Sequence, residues 1–363
     1  MKKVLIFSLA YFPFVGGAEV AIKEITDRLP DFEFDMITVN LDGKQKAEEQ
    51  LGRVKIYRIG DGKMSKYIFP LIAKKFAKKL HEKNTYDAIW AMMANQAGLA
   101  ALFFKKINPN IPFLLTLQEG DSEMDIWVRT WFIRPLYKNI YRKADYIQAI
   151  SNFLADRAKK LGAKCPIQVV PNGVNQITDY RFKIKDNKEK TIITVSRLEK
   201  KNGVDILIHA IKELQAKLLI VGGGSMESEL KKIAKDLGVE DKIEFIGNIP
   251  QEDVNGYLEK TDIFVRPSRS EGLGSAFLEA MAFGLPVIGT PVGGIPDFLK
   301  DNETGLFCKV DDPKDLSEKI LQLVKDENLY KKLSMNGKKL VEEKYQWDGI
   351  AKKMEKIFQA INE

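Results

Sequence analysis

The chain has 363 residues, of which 45% are hydrophobic and 29% charged, and this length and balance favour a globular protein of two domains. Its formal net charge is +7, with only two cysteines and two histidines. Neither a disulfide framework nor a thiolate metal site is indicated, and little room is left for a histidine-based metal site or a Ser-His-Asp triad. No apolar run is long enough to cross a bilayer, so we expect a cytoplasmic protein.

In the first half, short apolar runs alternate with helical patterns, which is typical of βαβ units and a parallel sheet. Pro13 and Gly16-Gly17 interrupt the first run without a small-residue cleavage pattern, which favours a buried strand over a secretory leader. Strands are predicted at 3–8, 35–39, 54–58, 86–92, 112–117, 145–150 and 167–170. We interpret 1–175 as one Rossmann-like domain and the polar stretch 176–190 as a linker.

A second series follows and predicts another Rossmann-like domain over 191–346. Its strands are predicted at 191–195, near 217–221, 242–246, 262–266 and 286–290, with further helices from about 313 onward. The last helix carries Ile350, Met354, Ile357 and Ile361 on one stripe. In such doubly wound α/β domains the ligand site is expected in the crevice between the domains, at the carboxyl ends of the strands.

The strongest motif is Pro267-Ser268-Arg269-Ser270-Glu271-Gly272-Leu273-Gly274-Ser275-Ala276, which joins a strand to a helix. Ser275 is a plausible N-cap. The unpaired backbone N–H groups around Leu273 to Ala276, with the positive end of the helix dipole, predict an anion site. The glycines allow a ligand to approach the backbone closely.

Two carboxylates accompany this anion site. Glu271 precedes the helix, and Glu279, eight residues later, lies about one turn into it. Carboxylates accept hydrogen bonds from hydroxyl groups, and a phosphate site flanked by two hydroxyl-binding acids suits a nucleotide-sugar. The alternative is that both acids are solvated surface residues, and for Glu279 alone that alternative would be preferred. The whole block favours function.

Over nearly the whole chain, and most specifically over 262–297, the sequence resembles the retaining glycosyltransferases of family 4 (glycosyltransferase group 1). That family has the GT-B fold, an α/β architecture of two Rossmann-like domains facing across a cleft. The resemblance implies that the first domain, joined by the last helix at about 347–363, binds the acceptor and the second binds the nucleotide-sugar. It assigns Glu271 to the donor-sugar hydroxyls and Glu279 to the ribose.

Three further motifs match the family. In Ser196-Arg197-Leu198-Glu199-Lys200-Lys201-Asn202-Gly203 the resemblance implies that Arg197 and Lys201 bind the diphosphate, whose growing charge paired cations stabilise. The resemblance also places Gly16 and Gly17 opposite the diphosphate, and Gly223, in Gly222-Gly223-Gly224, near the nucleotide. The alternatives are a solvated basic turn and ordinary tight turns.

One position departs from the family pattern. Many members have a histidine near the reacting sugar, where this chain has Gln118, in Gln118-Glu119-Gly120-Asp121. If the family's front-face mechanism applies, the leaving phosphate accepts the acceptor's proton, and Gln118 positions the reactants. Glu119 or Asp121 are alternatives for a catalytic part. The same position makes a non-catalytic sugar-nucleotide-binding homologue conceivable.

Other chemistries fit less well. No convincing Asp-x-Asp motif occurs for a metal-held diphosphate, so no metal or cofactor is expected and the cations and helix amides replace its charge. Nothing places Glu271 and Glu279 across a scissile bond as in a glycosidase. Neither domain shows the complete Gly-x-Gly-x-x-Gly fingerprint of a dinucleotide-dependent oxidoreductase after its first strand.

Two basic, aromatic-containing stretches lie in the predicted acceptor domain. Residues 63–83 combine apolar and basic residues at helical spacing, and 127–143 contain Trp127, Trp131, Phe132, Tyr137 and Tyr141 among five basic residues. Peripheral binding to anionic lipid at the inner face of the membrane, which would present a lipid-linked acceptor, is one interpretation. Ordinary amphipathic helices with core aromatics are the other. Nucleic acid is a poorer partner because no binding motif accompanies the charge.

Overall fold

The computed structural model describes residues 1–177 and 190–361. It divides into two compact units, Met1–Gly173 with Trp347–Glu363, and Val174–Gln346. Of the predicted linker 176–190, residues 178–189 lie outside the described part of the chain. The assignment of acceptor binding to one unit and donor binding to the other stays a prediction.

The first unit is built on an eight-stranded sheet of order β3-β4-β2-β1-β5-β6-β7-β8. Its strands are β1 (Lys2–Phe7), β2 (Phe32–Val39), β3 (Glu48–Leu51), β4 (Val54–Ile59), β5 (Ala88–Met92), β6 (Phe113–Leu117), β7 (Tyr146–Ala149) and β8 (Ile167–Val169). All neighbours pair in parallel except β3, which is antiparallel to β4. The sequence had not predicted β3, because its Glu-Glu-Gln-Leu run has no buried residue.

Helices cover both faces of this sheet. They are α1 (Gly17–Asp27), α2 (Ser65–Asn84), α3 (Gln96–Ile107), α4 (Glu123–Thr130), α5 (Arg134–Lys143) and α6 (Asn152–Lys160), with the chain's last helix, α13 (Trp347–Ala360), described here because it belongs to this unit.

Alternate residues of β1 show which helices lie on which face. Val4 and Ile6 share a buried cluster with α1 and α13. Phe7 points to the other face, where its ring centroid is 6.0 Å from that of Phe104 in α3. Since α3 also packs on α2 and α5, these three helices form one layer.

The second unit has a six-stranded parallel sheet of order β11-β10-β9-β12-β13-β14. Its strands are β9 (Lys190–Val195), β10 (Ala216–Val221), β11 (Ile243–Gly247), β12 (Ile263–Arg266), β13 (Val287–Gly289) and β14 (Leu306–Phe307). Its helices are α7 (Val204–Ile211), α8 (Glu227–Leu237), α9 (Gln251–Lys260), α10 (Ser275–Ala282), α11 (Pro313–Lys325) and α12 (Glu327–Lys344). The two-residue β14 was too short to predict.

The strand order reverses direction once in each sheet, between β1 and β5 and between β9 and β12. Loops leaving the two strands at such a point diverge, and the crevice between them is the usual ligand site of open α/β sheets. The fold therefore predicts ligand-binding residues in the loops that follow β1 and β5 in the first unit and β9 and β12 in the second.

Candidate active site

The strongest sequence motif lies at the carboxyl edge of the second sheet, between β12 and α10. Gly274, immediately before α10, has φ +94°, and a Cβ there would lie 2.9 Å from the Phe277 ring. The N-cap of α10 is Gly274, with no side-chain cap, and Ser275 is the first helical residue. The prediction of Ser275 as N-cap was therefore wrong, because only the left-handed glycine fits the turn. The first N–H groups of α10 have no acceptor within the helix.

Glu271 is held by a buried arginine that the sequence interpretation missed. Arg266, the last residue of β12, is 7% exposed and donates from Nη2 to Glu271 Oε2. Arg266 Nη1 also donates to the carbonyl of Val195 at 3.2 Å, and its guanidinium lies 5.3 Å from the Phe277 ring centroid. Glu271 Oε1 accepts from the N–H of Gly272 at 3.0 Å. Arg266 and the Gly272 N–H thus fix the orientation of the Glu271 carboxylate, which the family resemblance assigns to the donor sugar.

Glu279, the fifth residue of α10, is half-buried and accepts a hydrogen bond of 2.9 Å from Gln251 Nε2. Burial raises the pKa of the Glu279 carboxyl, while Gln251 and the charge of Arg266 act in the opposite direction. Burial likewise lowers the pKa of Arg266 to about 10, opposed by the charge of Glu279 and assisted by that of Arg197. These groups therefore lie within one electrostatic cluster.

The turn after β9 carries the predicted diphosphate cations. Arg197 is exposed and Lys201 is half-buried. Asn202, which is buried, donates from its side chain to the Arg197 carbonyl at 2.5 Å. Arg269, in the loop after β12, donates its backbone N–H to the Lys201 carbonyl at 2.7 Å. The turn is thus tied to the loop that carries Glu271.

Arg269 strengthens that tie with its side chain. Its guanidinium binds both carboxylate oxygens of Asp205, at 2.9 and 2.7 Å, and also Asp311 at 2.6 Å. It donates to the carbonyl of Lys200 at 2.6 Å as well. Because Asp205 lies in the first turn of α7, this arginine joins the loops after β9 and β12 to one helix.

Glycines permit close backbone contact between neighbouring loops of this edge. A Cβ on Gly222 would lie 2.0 Å from the Ser196 carbonyl oxygen, one on Gly203 2.0 Å from that of Pro267, and one on Gly293 1.8 Å from that of Glu271. All three glycines have positive φ, so a side chain would be strained at each. Four loops in series, after β10, β9, β12 and β13, therefore support one another.

Gly223 has a packing role of its own. Its N–H donates to Asn248 Oδ1 at 2.8 Å, and its carbonyl accepts from the N–H of Leu198 at 2.9 Å. These contacts hold the Gly222–Gly224 loop against the turn that bears Arg197. They do not by themselves show a contact with nucleotide.

The carboxyl edge of the first sheet carries the other predicted residues. Gly16 is the N-cap of α1, and its N–H donates to the Glu19 carboxylate at 2.8 Å. Gly17 starts the helix, with Asn172 Nδ2 3.7 Å from the position of a Cβ. The same Asn172 nitrogen donates to Gln118 Oε1 at 3.0 Å. Buried Asn172, which the sequence interpretation also missed, therefore links Gln118 to the glycine turn.

Glu119 supports Gln118 through the backbone. Glu119 Oε2 accepts from the N–H of Gln118 at 3.1 Å, and Oε1 accepts from the N–H of Ala94. Ala94 follows Met93, a non-glycine residue with φ +71° directly after β5. Burial raises the pKa of Glu119, while these hydrogen bonds and the charge of Arg157 lower it. Glu119 is thus already occupied by protein donors.

Arg157 is buried behind the same loop. It is 4% exposed, donates from Nη2 to the carbonyl of Asp121 at 2.8 Å, and lies 4.7 Å from the Phe153 ring centroid. Its Nε and Nη1 have no hydrogen-bond partner among residues 1–177 and 190–361. Burial raises the pKa of the neighbouring Tyr137 to about 12. This cluster supports the Gln118–Asp121 loop and was not visible in the sequence.

The structure thus distributes the predicted residues over two sheet edges. Arg197, Lys201, Gly223, Glu271, Leu273, Gly274, Ser275 and Glu279 lie at the carboxyl edge of the second sheet, and Gly16, Gly17 and Gln118 at that of the first. Within the described ranges, no group of three or more His, Cys, Asp or Glu side chains is arranged to hold a metal ion. In those ranges, too, no helix is both long and apolar enough to span a membrane.

Solved structures with the same architecture define the class. A sucrose-phosphate synthase from Thermosynechococcus elongatus superimposes with a TM-score of 0.85 at 22% identity, covering 99% of each chain. Anabaena HepE in complex with UDP-glucose gives a TM-score of 0.82 at 18% identity, covering 99% of this chain and 100% of that one. These matches show that the chain has the GT-B fold.

The sequence comparisons identify the family. Residues 15–176 match the model of Glycosyltransferase Family 4, and residues 176–340 match that of Glycosyl transferases group 1. An uncharacterised glycosyltransferase of Methanocaldococcus jannaschii is 30% identical over 370 residues, covering 100% of this chain and 99% of the relative. The chain therefore belongs to glycosyltransferase family 4, group 1. It is a retaining hexosyltransferase-type enzyme that transfers sugar from a nucleotide-sugar.

Proposed function

We propose that the protein transfers a hexosyl unit from a nucleoside-diphosphate sugar to a glycan or lipid-linked acceptor, with retention of configuration and without a metal ion. The observation that carries this proposal is the common position of Arg197, Lys201, Glu271 and Glu279 around the start of α10. Cations, helix N–H groups and hydroxyl-binding acids at one sheet edge suit the diphosphate, ribose and hexose of one donor molecule.

The donor is bound in three parts. The diphosphate lies on the N–H groups of Leu273, Gly274 and Ser275 and between Arg197 and Lys201, which stabilise the charge that develops as the phosphate leaves. Glu279 accepts hydrogen bonds from the ribose hydroxyls. The UDP-glucose complex of the structurally similar HepE supports a donor of this chemical class.

The sugar is bound by the remaining acid. Glu271 accepts from the hexose hydroxyls, and Arg266 keeps its carboxylate oriented. Because Arg266 already occupies one carboxylate oxygen, the hexose hydroxyls are received by the other lone pairs of Glu271. Gly16, Gly17 and Gly223 leave room for the donor to approach the backbone.

Transfer takes place beside the loop after β6. Gln118, held by Asn172 and Glu119, positions the reacting hydroxyl or sugar by hydrogen bonds. The acceptor oxygen forms the new glycosidic bond as the bond to the diphosphate breaks, and the leaving phosphate oxygen takes the acceptor's proton. Glutamine suits this function because the step requires no protein base.

A thermal-shift screen against UDP-, GDP- and ADP-sugars tests donor binding. A ligand at 100 times its dissociation constant stabilises the protein by about 2.7 kcal/mol. We expect Arg197→Ala and Glu279→Ala to abolish the shift, and Arg142→Ala and Glu343→Ala, exposed residues away from this edge, to retain it. Parental shifts in both site variants would contradict the assignment.

A second measurement separates an enzyme from a non-catalytic binder. In the presence of EDTA, we expect the label to pass from the donor into a product or into free sugar. In the product, the new glycosidic bond should have the anomeric configuration of the donor. A donor that shifts the melting temperature while no label leaves it would instead favour the sugar-nucleotide-binding homologue that Gln118 makes conceivable.

A further inference from the structure

The large apolar side chains on the protein surface are concentrated in two segments of the first unit. Sixteen such side chains are exposed in residues 1–177 and 190–361 together, and nine of them belong to these segments. They are Met64, Tyr67, Ile68 and Leu71 at the start of α2, and Met124, Trp127, Val128, Trp131 and Phe132 in α4 and the 3-10 turn after it. These nine residues are called the apolar face below.

The aromatic residues of the second segment divide into two groups. Tyr137 and Tyr141 are buried, with their hydroxyl groups 2.8 Å apart, as expected for core residues. Trp127, Trp131 and Phe132 are 50%, 66% and 66% exposed. Aromatic rings left in water at this level are costly unless a partner covers them. The interpretation of the aromatic residues as core residues is therefore confirmed for Tyr137 and Tyr141 and is wrong for Trp127, Trp131 and Phe132, whereas lipid binding stays a prediction.

Helix α2 presents a single exposed stripe that changes character along its length. Its first half is apolar, with Tyr67, Ile68 and Leu71 at 60%, 53% and 59% exposure. The stripe continues at helical spacing with the exposed Lys75, Lys78 and Lys79, and its one acid, Glu82, lies 4.0 Å from Lys78. The opposite side of the helix is buried on the core. An apolar stretch followed by lysines suits a surface that is apolar and carries negative charge.

The two segments lie at the same edge of the same sheet. Helix α2 follows the carboxyl end of β4, α4 follows that of β6, and α2 and α5 both pack on α3. Three strands separate β4 from β6, so the segments begin roughly 20 Å apart. Gly16 and Gly17 follow β1, one of these three strands, and Gln118 follows β6 itself. The apolar face therefore borders the edge that carries the proposed acceptor residues.

We propose that the apolar face docks on an anionic lipid bilayer, with its tryptophans and aliphatic side chains in the interfacial region and Lys75, Lys78 and Lys79 on the lipid phosphates. Tryptophan, tyrosine and lysine are the side chains that favour this interface. Of the two acids of α4, Glu123 is paired with Lys160 at 3.4 Å, and Asp125 accepts a hydrogen bond from the Ser122 hydroxyl.

A second copy of the chain fits this surface less well than a bilayer does. A two-fold symmetric contact through the apolar face would bring the lysines of one α2 close to those of the other. An anionic bilayer accommodates both groups, because its phosphates pair with the lysines and its interfacial region takes up the rings. A docked bilayer presents its headgroups at the sheet edge that carries Gln118, which makes a lipid-linked molecule the acceptor. In this last step alone the docking proposal rests on the proposed function.

Intrinsic fluorescence of the full chain gives a direct test. Trp90 and Trp347 are buried at 0% and 4% exposure, so Trp127 and Trp131 report on the apolar face alone. We expect vesicles of 30% phosphatidylglycerol in phosphatidylcholine to shift the emission to shorter wavelength, and brominated lipid to quench it. Vesicles of phosphatidylcholine alone should bind at least tenfold more weakly. An unchanged spectrum with anionic vesicles would overturn the proposal.

Matched variants locate the contact by vesicle co-sedimentation. Trp131→Ser with Phe132→Ser should weaken binding at least tenfold, while Met335→Ser, a 67% exposed residue of α12, should not. Lys75→Glu, Lys78→Glu and Lys79→Glu together should weaken it more than about a hundredfold, at about fivefold or more for each lysine lost. The same three-charge change at the exposed Lys352, Lys353 and Lys356 of α13, on the opposite layer, should leave binding within twofold. Equal losses in test and control variants would contradict this docking face.

Two further measurements separate the other outcomes. A concentration-dependent dimer that Trp131→Ser abolishes, with no vesicle binding, would assign the face to a second copy and overturn the proposal. Donor-induced thermal shift without vesicles should be equal in the parent and in the docking variants. Vesicle binding by a protein that no sugar nucleotide stabilises would contradict the proposed function and leave the docking face intact.

Discussion

The carboxyl edges of the two sheets support their loops by different means. At the second edge, side chains such as Arg269 join the loops, and backbone also packs on backbone through glycines at 203, 222 and 293, where no side chain would fit. At the first edge, the loops are held by side-chain hydrogen bonds. Asn172 and Glu119 bind Gln118, and Arg157 donates to the carbonyl of Asp121. A glycine pattern is visible in a sequence, whereas contacts between distant side chains are not.

The two edges also differ in what their acids have already bound. Glu119 accepts two backbone N–H donors from Gln118 and Ala94. Glu279 accepts one side-chain hydrogen bond from the described residues, from Gln251 at 2.9 Å, and stays half-buried in the middle of α10. Partly satisfied carboxylates with raised pKa values are typical of binding sites, and this contrast favours the second edge as the place where a ligand completes the structure.

The largest expected effect concerns the two buried arginines. Arg266→Met removes the ion-pair partner of Glu271 and should lower the free energy of unfolding by about 3–5 kcal/mol, because a carboxylate whose side chain is only 16% exposed loses its balancing charge. Arg157→Met should cost only about 1 kcal/mol, since two of its three side-chain nitrogen atoms have no partner to lose in the described part of the chain. Urea unfolding of both variants measures the difference. Similar losses would mean that the two edges do not differ in this respect.

A double variant controls for the loss of arginine packing. Arg266→Met with Glu271→Gln removes the unpaired charge and should recover part of the stability of the parent without recovering the donor-induced thermal shift. If the double variant is as unstable as Arg266→Met, the cost belongs to the packing of the guanidinium on Phe277.

Glycine substitutions compare the edges next. Gly293→Ala places a Cβ 1.8 Å from the Glu271 carbonyl oxygen at φ +57° and should cost about 2 kcal/mol or more, with loss of donor binding. Gly17→Ala meets its nearest atom at 3.7 Å and should change stability by less than about 0.5 kcal/mol, while still lowering transfer. Thermal unfolding and transfer assays measure the two effects. Gly256→Ala serves as the control, because a Cβ at this position of α9 would meet no neighbouring atom of the described residues within 4 Å outside its own helix backbone.

A smaller effect is expected at Gln118. Gln118→Ala should lower kcat about tenfold or more, because an unpositioned reactant loses its alignment, and leave the KM for donor and its thermal shift within about threefold. Asn172→Ala should show the same split more weakly, since Asn172 acts through Gln118. Equal losses in kcat and donor binding would contradict a positioning role for Gln118.

How much could be predicted from the sequence follows from the range of the interactions. The alternation of apolar runs and helical patterns was sufficient for the central strands, and it failed at two edge strands, β3, which has no buried residue, and β14, which has only two residues. The motifs around Arg197 and Glu271 were visible because each is contiguous. Arg269 was missed because its partner Asp205 lies 64 residues away. Arg266 was missed although Glu271 follows it by five residues, because its burial and its contact with Val195, 71 residues away, arise only in the folded chain.

The smallest expected effect is on the pH dependence of the free energy of unfolding. It should distinguish Glu279, which has few protein hydrogen-bond donors, from carboxylates that already accept several. Burial raises the pKa of Glu279, so the native state holds a proton that the unfolded chain releases above about pH 4.3. The parent should therefore lose stability relative to Glu279→Gln as pH rises from there through the raised pKa, and the difference should then stay constant. At pH 7 without donor, Glu279→Gln should be more stable than the parent by up to about 1 kcal/mol.

Two carboxylates provide the contrast in urea unfolding between pH 3 and 7. The pKa of Glu199 is lowered by Ser225, so the parent should gain stability relative to Glu199→Gln as pH rises from the lowered pKa to the unfolded pKa of about 4.3, and the difference should be constant above it. Glu119→Gln should be less stable than the parent at pH 7, despite the raised pKa of Glu119, because an amide nitrogen would face the N–H of Gln118 or Ala94. A stabilising Glu119→Gln would show that the first edge, too, holds its acid ready for a ligand.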